Sequence, residues 1–162
     1  MFNFELSWRK RMAKNTFADF VIGMAKEYEP YRRKIMERFS LSAAEVDVLM
    51  FLSNNPEYNT AAQVSKIRMI PKSHVSLAVG LLSEKGLLCK QKGKSRRSVC
   101  LIPSKRAAEI TDFGRKMQDE FQQALYCGFS ETEKAILESL HRKITENMEN
   151  IKKSNENGDK NR

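Results

Sequence analysis

The chain has 162 residues, close to the roughly 150 that make one domain the default expectation. With 41% hydrophobic residues, Gly 7 and Pro 4, it can bury a core, and a low-complexity or many-turned all-β chain is excluded. No apolar run reaches signal-peptide or membrane-spanning length, so a cytoplasmic protein without a membrane partner is expected.

The first apolar residues, Trp8, Met12, Phe17, Phe20, Val21 and Met24, approximate a helical stripe. Pro30 predicts a break between Tyr28 and Tyr31, because proline removes a donor and restricts its predecessor. A short basic helix over Arg32 to Phe39 follows. Ser42 with Glu45 is a capping box ahead of Val46, Leu49, Met50 and Leu52, and Asn54-Asn55-Pro56 ends that helix. Thr60 with Gln63 repeats the pattern for a short helix to about Lys66. Pro71 stands where a first-turn proline is tolerated, opening a helix to about Lys85 that Gly86 stops.

Two short strands come next, Leu87 to Gln91 and Ser98 to Ile102, around the basic tip Lys92-Gly93-Lys94-Ser95-Arg96-Arg97. Past Pro103 lie two helical stripes. One holds Ile110, Phe113, Met117, Phe121 and Leu125; the other, after Ser130 with Glu133, holds Leu137, Leu140, Ile144, Met148 and Ile151. The tail from Lys152 to Arg162 has little to bury and is expected to be disordered.

Charge is distributed unevenly along this plan. Residues 60–97 carry nine Lys/Arg against Glu84 alone, a local +8 in a chain of net +9. A basic block inside a folded segment is the electrostatic footprint of a polyanion. Two helices joined by a short turn and followed by a basic hairpin make a winged helix-turn-helix, whose second helix enters a major groove. On a wheel, Val75, Ala78, Val79 and Leu82 fall on one side of that helix, with Ser73, Ser76, Leu77, Gly80 and Glu84 opposite. Ser73 and Ser76 can hydrogen-bond bases or phosphates, and Leu77 can touch a thymine methyl. His74 flanks the face, while Lys72 suits a phosphate at the helix start. In the hairpin, Lys92, Lys94, Arg96 and Arg97 repel one another unless a phosphate or a narrow minor groove relieves them.

The runs Leu41 to Leu49, Lys72 to Ser76, Leu82 to Leu88 and Arg96 to Val99 together resemble the multiple antibiotic resistance regulator (MarR) family over about residues 10–150. The fold implied is mainly α with a small β-hairpin wing, a winged helix-turn-helix with N- and C-terminal dimerisation helices. Its divisions are a dimerisation region over 1–40, a DNA-binding domain over 41–103, C-terminal dimerisation helices over 104–151 and the tail over 152–162. The resemblance implies a homodimer reading a pseudo-palindromic operator in double-stranded DNA, read as a repressor, with a small aromatic or apolar effector. Its contact positions match Lys72, Ser73, His74, Ser76 and Arg97. Ser95 replaces the usual wing aspartate, Leu77 stands where a basic residue is common, and Pro103 and Arg106 depart from the residues that usually follow the wing. Tyr28, Tyr31 and Met36 are candidate pocket residues.

Neither His74 nor His141 has a motif partner, and no phosphate loop or metal-ligand set occurs in the sequence. No enzyme and no cofactor is expected. The alternative is a winged-helix interaction module for RNA or an acidic protein. Cys89, Cys100 and Cys127 lack disulfide or metal spacing and are expected to be reduced, with Cys89 and Cys100 as small core residues of the wing.

Overall fold

The structure, a computed structural model, describes residues 17–93 and 98–158. Those residues form six α-helices and one hairpin: α1 Phe17–Phe39, α2 Ala43–Asn54, α3 Ala61–Arg68, α4 Lys72–Glu84, β1 Leu88–Lys92, β2 Val99–Pro103, α5 Ala108–Leu125 and α6 Glu131–Gly158. The chain divides into two compact units, the first ending at Phe121 and the second beginning at Gln122. Among the described residues no helix is long and apolar enough to cross a membrane.

The break expected at Pro30 is absent, because α1 runs through it without interruption. The missing proline N–H weakens the helix interior, but contacts on both sides of the proline support the continuous helix. Tyr28 and Tyr31 lie parallel at 6.5 Å and both meet the edge of Phe121, at 5.3 and 5.4 Å. Beyond the proline, Arg32 bonds Asp47 at 2.9 Å and also Glu29, and Ile35 is fully buried. The helix stops at Ser40, whose φ of 51° is left-handed, while the Leu41 N–H closes back on the Met36 carbonyl at 3.0 Å.

Helix α2 starts at the expected capping box. The Ser42 N–H donates to Glu45 Oε2 at 2.9 Å, and the Glu45 N–H donates to Ser42 Oγ at 3.3 Å. This helix is the centre of the core: Val46, Val48, Leu49, Met50, Phe51 and Leu52 are all buried. Val64 of α3 and Val75, Ala78, Val79 and Leu82 of α4 are buried with them. Helix α3 has its own capping box between Thr60 and Gln63.

The end of α4 is a Schellman motif around Gly86, whose φ is 69°. The Leu87 N–H reaches the Leu82 carbonyl at 2.8 Å and the Gly86 N–H reaches Ser83 at 3.0 Å. Strands β1 and β2 pair antiparallel with Leu88 opposite Pro103 and Lys92 opposite Val99. The Leu101 N–H bonds the Asn59 carbonyl at 2.7 Å, tying the hairpin to the loop before α3. Leu88 and Leu101 share the buried face, so Cys89, Gln91, Cys100 and Ile102 share the other. Cys89 is therefore exposed and Cys100 only half-buried, which corrects their expected place in the core.

A 3-10 turn over Lys105–Ala107 leads into α5. Ile110 and Met117 of its stripe are buried, and Gly114 lies so close to α2 that a Cβ there would enter the Met50 side chain. In the second unit, Ser130 and Glu133 cap α6 reciprocally. Helix α6 runs to Gly158, past the point at Lys152 where the sequence reading begins the tail. Ile136, Leu140, Ile144, Met148 and Ile151 form an apolar row on α6, each between 42% and 61% exposed.

Candidate nucleic-acid interface

Helix α4 lies against α2 and α3, and its four buried residues fix which side faces out. Lys72, Ser73, His74, Ser76 and Leu77 are all exposed on the remaining surface. Leu77 stands out at 64% exposed. Of its neighbours one turn away along the axis, Ser73 and Gly80 are small, while His74 and the half-buried Leu81 flank it. The N-cap Pro71 makes no side-chain cap bond to the first turn, leaving helix-start N–H groups oriented outward with the positive end of the helix dipole.

The turn before α4 carries a feature the sequence did not signal. Met69 has a left-handed φ of 53° and is 89% exposed, and Ile67 is 46% exposed. A non-glycine residue in that conformation is uncommon. Nothing in the spacing of Ile67-Arg68-Met69-Ile70 distinguishes these two from core positions.

In the hairpin, Lys90 and Lys92 are exposed on β1. The Gly93 N–H donates to the Ser98 carbonyl at 2.8 Å and closes the base of the connecting loop. Lys94, Arg96 and Arg97 lie outside the described residues. The structure thus brings Lys72, Ser73, His74, Ser76 and Leu77 onto one helix, with Lys92 on the hairpin that follows it.

A separate cavity of about 320 Å³ opens between α1, α2, the end of α3 and α5. Tyr28 lines it; of the other two expected pocket residues, Tyr31 stacks behind Tyr28 and Met36 packs on the core. Burial pushes the Tyr28 hydroxyl above its ordinary pKa, opposed by its hydrogen bond with Gln118. Asp47, Arg68 and Asn54 complete a polar wall, with Asp47 held by Arg32 at 2.9 Å and 3.9 Å from Arg68. The one sequence signal for this wall is Asp47 itself, a charge set inside the apolar run Val46 to Leu52.

No protein-family model and no curated protein sequence matches the chain. Solved structures do. A MarR transcriptional regulator from Methanosarcina mazei Go1 superposes with a TM-score of 0.70 at 17% identity, over 85% of this chain and 92% of that one. A putative MarR family transcriptional regulator from Listeria monocytogenes, complexed with a 26mer DNA, gives 0.69 at 17% identity, over 83% and 89%. Bordetella bronchiseptica BpsR, whose DNA binding is regulated by 6-hydroxynicotinic acid, gives 0.59 at 17% identity, over 81% and 94%. Helices, hairpin and their order in this chain are those of the MarR-type winged-helix fold.

Proposed function

We propose that the protein is a sequence-specific, double-stranded DNA-binding transcriptional regulator, a repressor, and not an enzyme. The observation that carries this reading is the outward face of α4, where Lys72, Ser73, His74, Ser76 and Leu77 are all exposed beside a hairpin in the most basic part of the chain. A face of short polar side chains lets a helix backbone approach base edges, and the surrounding cations favour the phosphate backbone. In this reading α4 lies in the major groove, and the hairpin tip with Lys92, Lys94, Arg96 and Arg97 meets the adjacent backbone or minor groove.

The regulator acts as a homodimer in the cytoplasm and binds a pseudo-palindrome. The exposed row Ile136, Leu140, Ile144, Met148 and Ile151 on α6 supports this, since a soluble helix does not keep such a stripe in water without a partner. A small aromatic or apolar effector in the cavity beside Tyr28 releases the DNA. The cavity, and the ligand-regulated DNA binding of BpsR, support that part.

Duplex fragments retained from genomic DNA by the purified full-length protein should share an inverted repeat. Their affinity should fall steeply with salt, because phosphate contacts release counterions. Equal retention of random duplexes, or preferential retention of RNA, overturns the reading. Light scattering that returns a single-chain mass of 18.7 kDa at micromolar concentration removes the dimer.

A further inference from the structure

Two features of α4 have no intramolecular reason. Leu77 is 64% exposed in the middle of a helix whose other large aliphatic residues are buried or half-buried. Gly80, one turn on, is a helix-interior glycine, and a Cβ built on it would meet nothing within 4 Å. Glycine weakens a helix interior relative to alanine, and here no internal close approach requires it. Leu77 needs an apolar contact and Gly80 needs a bare backbone, so both are explained if the same external surface is pressed against them.

The occupant must be apolar at one point and polyanionic around it. Leu77 is bracketed by Ser73, Ser76 and Gly80, and the segment 60–97 around it carries a net +8. In the major groove the C5-methyl of thymine is the apolar group that a base edge presents, amid hydrogen-bonding atoms and phosphates. Helix α4 carries no arginine, and its lone lysine is at its first position, which leaves no side chain mid-helix for a bidentate contact to guanine.

We propose that Leu77 is a specificity-determining residue that reads a thymine methyl in each half-site, and that Gly80 lets the helix backbone sit close enough for it to do so. This rests on the DNA-binding reading above and adds the chemistry of what is read.

The test uses the full-length protein and the duplex selected from genomic DNA, with each thymine replaced in turn by deoxyuridine, which removes the methyl and nothing else. One position per half-site should weaken binding about fourfold, the factor expected for one buried methyl. Leu77→Ala should bind the thymine and uracil duplexes alike, and its exposed position leaves the core intact. Gly80→Ala supplies a readout that a structural role would not give: its melting temperature should rise while its operator affinity falls severalfold. An operator indifferent to every thymine-to-uracil change, a Leu77→Ala variant that keeps the preference, or a Gly80→Ala variant that binds at least as well as the parent overturns the proposal. Each of those results leaves DNA binding itself standing, whereas failure to select any duplex removes both.

Discussion

Glu45→Gln tests how α4 is held against the rest of the winged unit. The Glu45 side chain is 3% exposed and its two oxygens serve two elements. Oε2 accepts from the Ser42 N–H at 2.9 Å, and Oε1 accepts from Lys85 Nζ at 2.7 Å, at the C-cap of α4. Lys85 also donates to the Ser40 carbonyl at 3.3 Å, so this one cluster joins the α1–α2 corner to the end of α4. Glutamine keeps the shape but has one acceptor oxygen, which turns an N–H toward either Lys85 or Ser42. A hydrogen bond to a charged group is worth about 1.5–3 kcal/mol, and a fully buried broken pair about 3–5 kcal/mol. Lys85 is 40% exposed and can turn to water, which places the cost nearer the low end. We expect a loss of about 2 kcal/mol, or a melting temperature lower by about 4–8 °C.

The effect has a pH signature. Burial raises the Glu45 carboxyl, but hydrogen bonds from Lys85 and from the backbone and hydroxyl of Ser42 outweigh it and hold the pKa below its ordinary value. A carboxylate depressed in the folded state stabilises above its unfolded pKa, and that contribution fades as pH falls through the folded value. The gap between wild type and Glu45→Gln should therefore be full near neutrality and shrink below about pH 4. Thermal melts across that range measure it. A variant melting with the wild type at neutral pH, or a gap unchanged in acid, refutes the reasoning.

Pro30→Ala should raise stability by about 1–3 kcal/mol by restoring a helix donor in α1; a lower melting temperature would contradict the view that side-chain contacts alone carry the helix through the proline. Gly114→Ala should cost about 1 kcal/mol despite its better helix propensity, because the new methyl enters the buried Met50 side chain. In a Met50→Ala background the same change should be neutral or stabilising, and a persistent loss would locate the clash elsewhere. A chromogenic thiol reagent should modify the exposed Cys89 and Cys127 quickly and the half-buried Cys100 slowly; a slow Cys89 would place the outer wing face in contact with something.

The elements legible in the sequence were those written in local chemistry. Three reciprocal caps, Ser42 with Glu45, Thr60 with Gln63 and Ser130 with Glu133, each lie within one turn of helix and form as expected. The stop at Gly86 is equally local. Pro30 misled because what overrides it is remote: Asp47 comes 17 residues later and Phe121 reaches Tyr28 and Tyr31 from α5. The cysteines misled for a related reason. The apolar runs mark two strands without saying which alternate faces inward; that depends on the register that sets Leu88 against Pro103, and a shift of one residue exchanges the two faces.

The same division between local and remote information runs through the two candidate sites. The outward face of α4 could be read from a wheel because one helix contributes it and burial of Val75, Ala78, Val79 and Leu82 fixes its orientation. The cavity draws Tyr28 from α1, Asp47 and Asn54 from α2, Arg68 from α3 and Gln118 from α5, and no sequence spacing relates them. What joins the two sites is Arg68. It faces Asp47 across the cavity wall and immediately precedes Met69, the left-handed residue that turns the chain into α4. A change at the cavity that moved Arg68 would reach the turn before α4 through a single peptide bond. If the proposed effector binds there, that short path is its physical route to the helix proposed to read DNA.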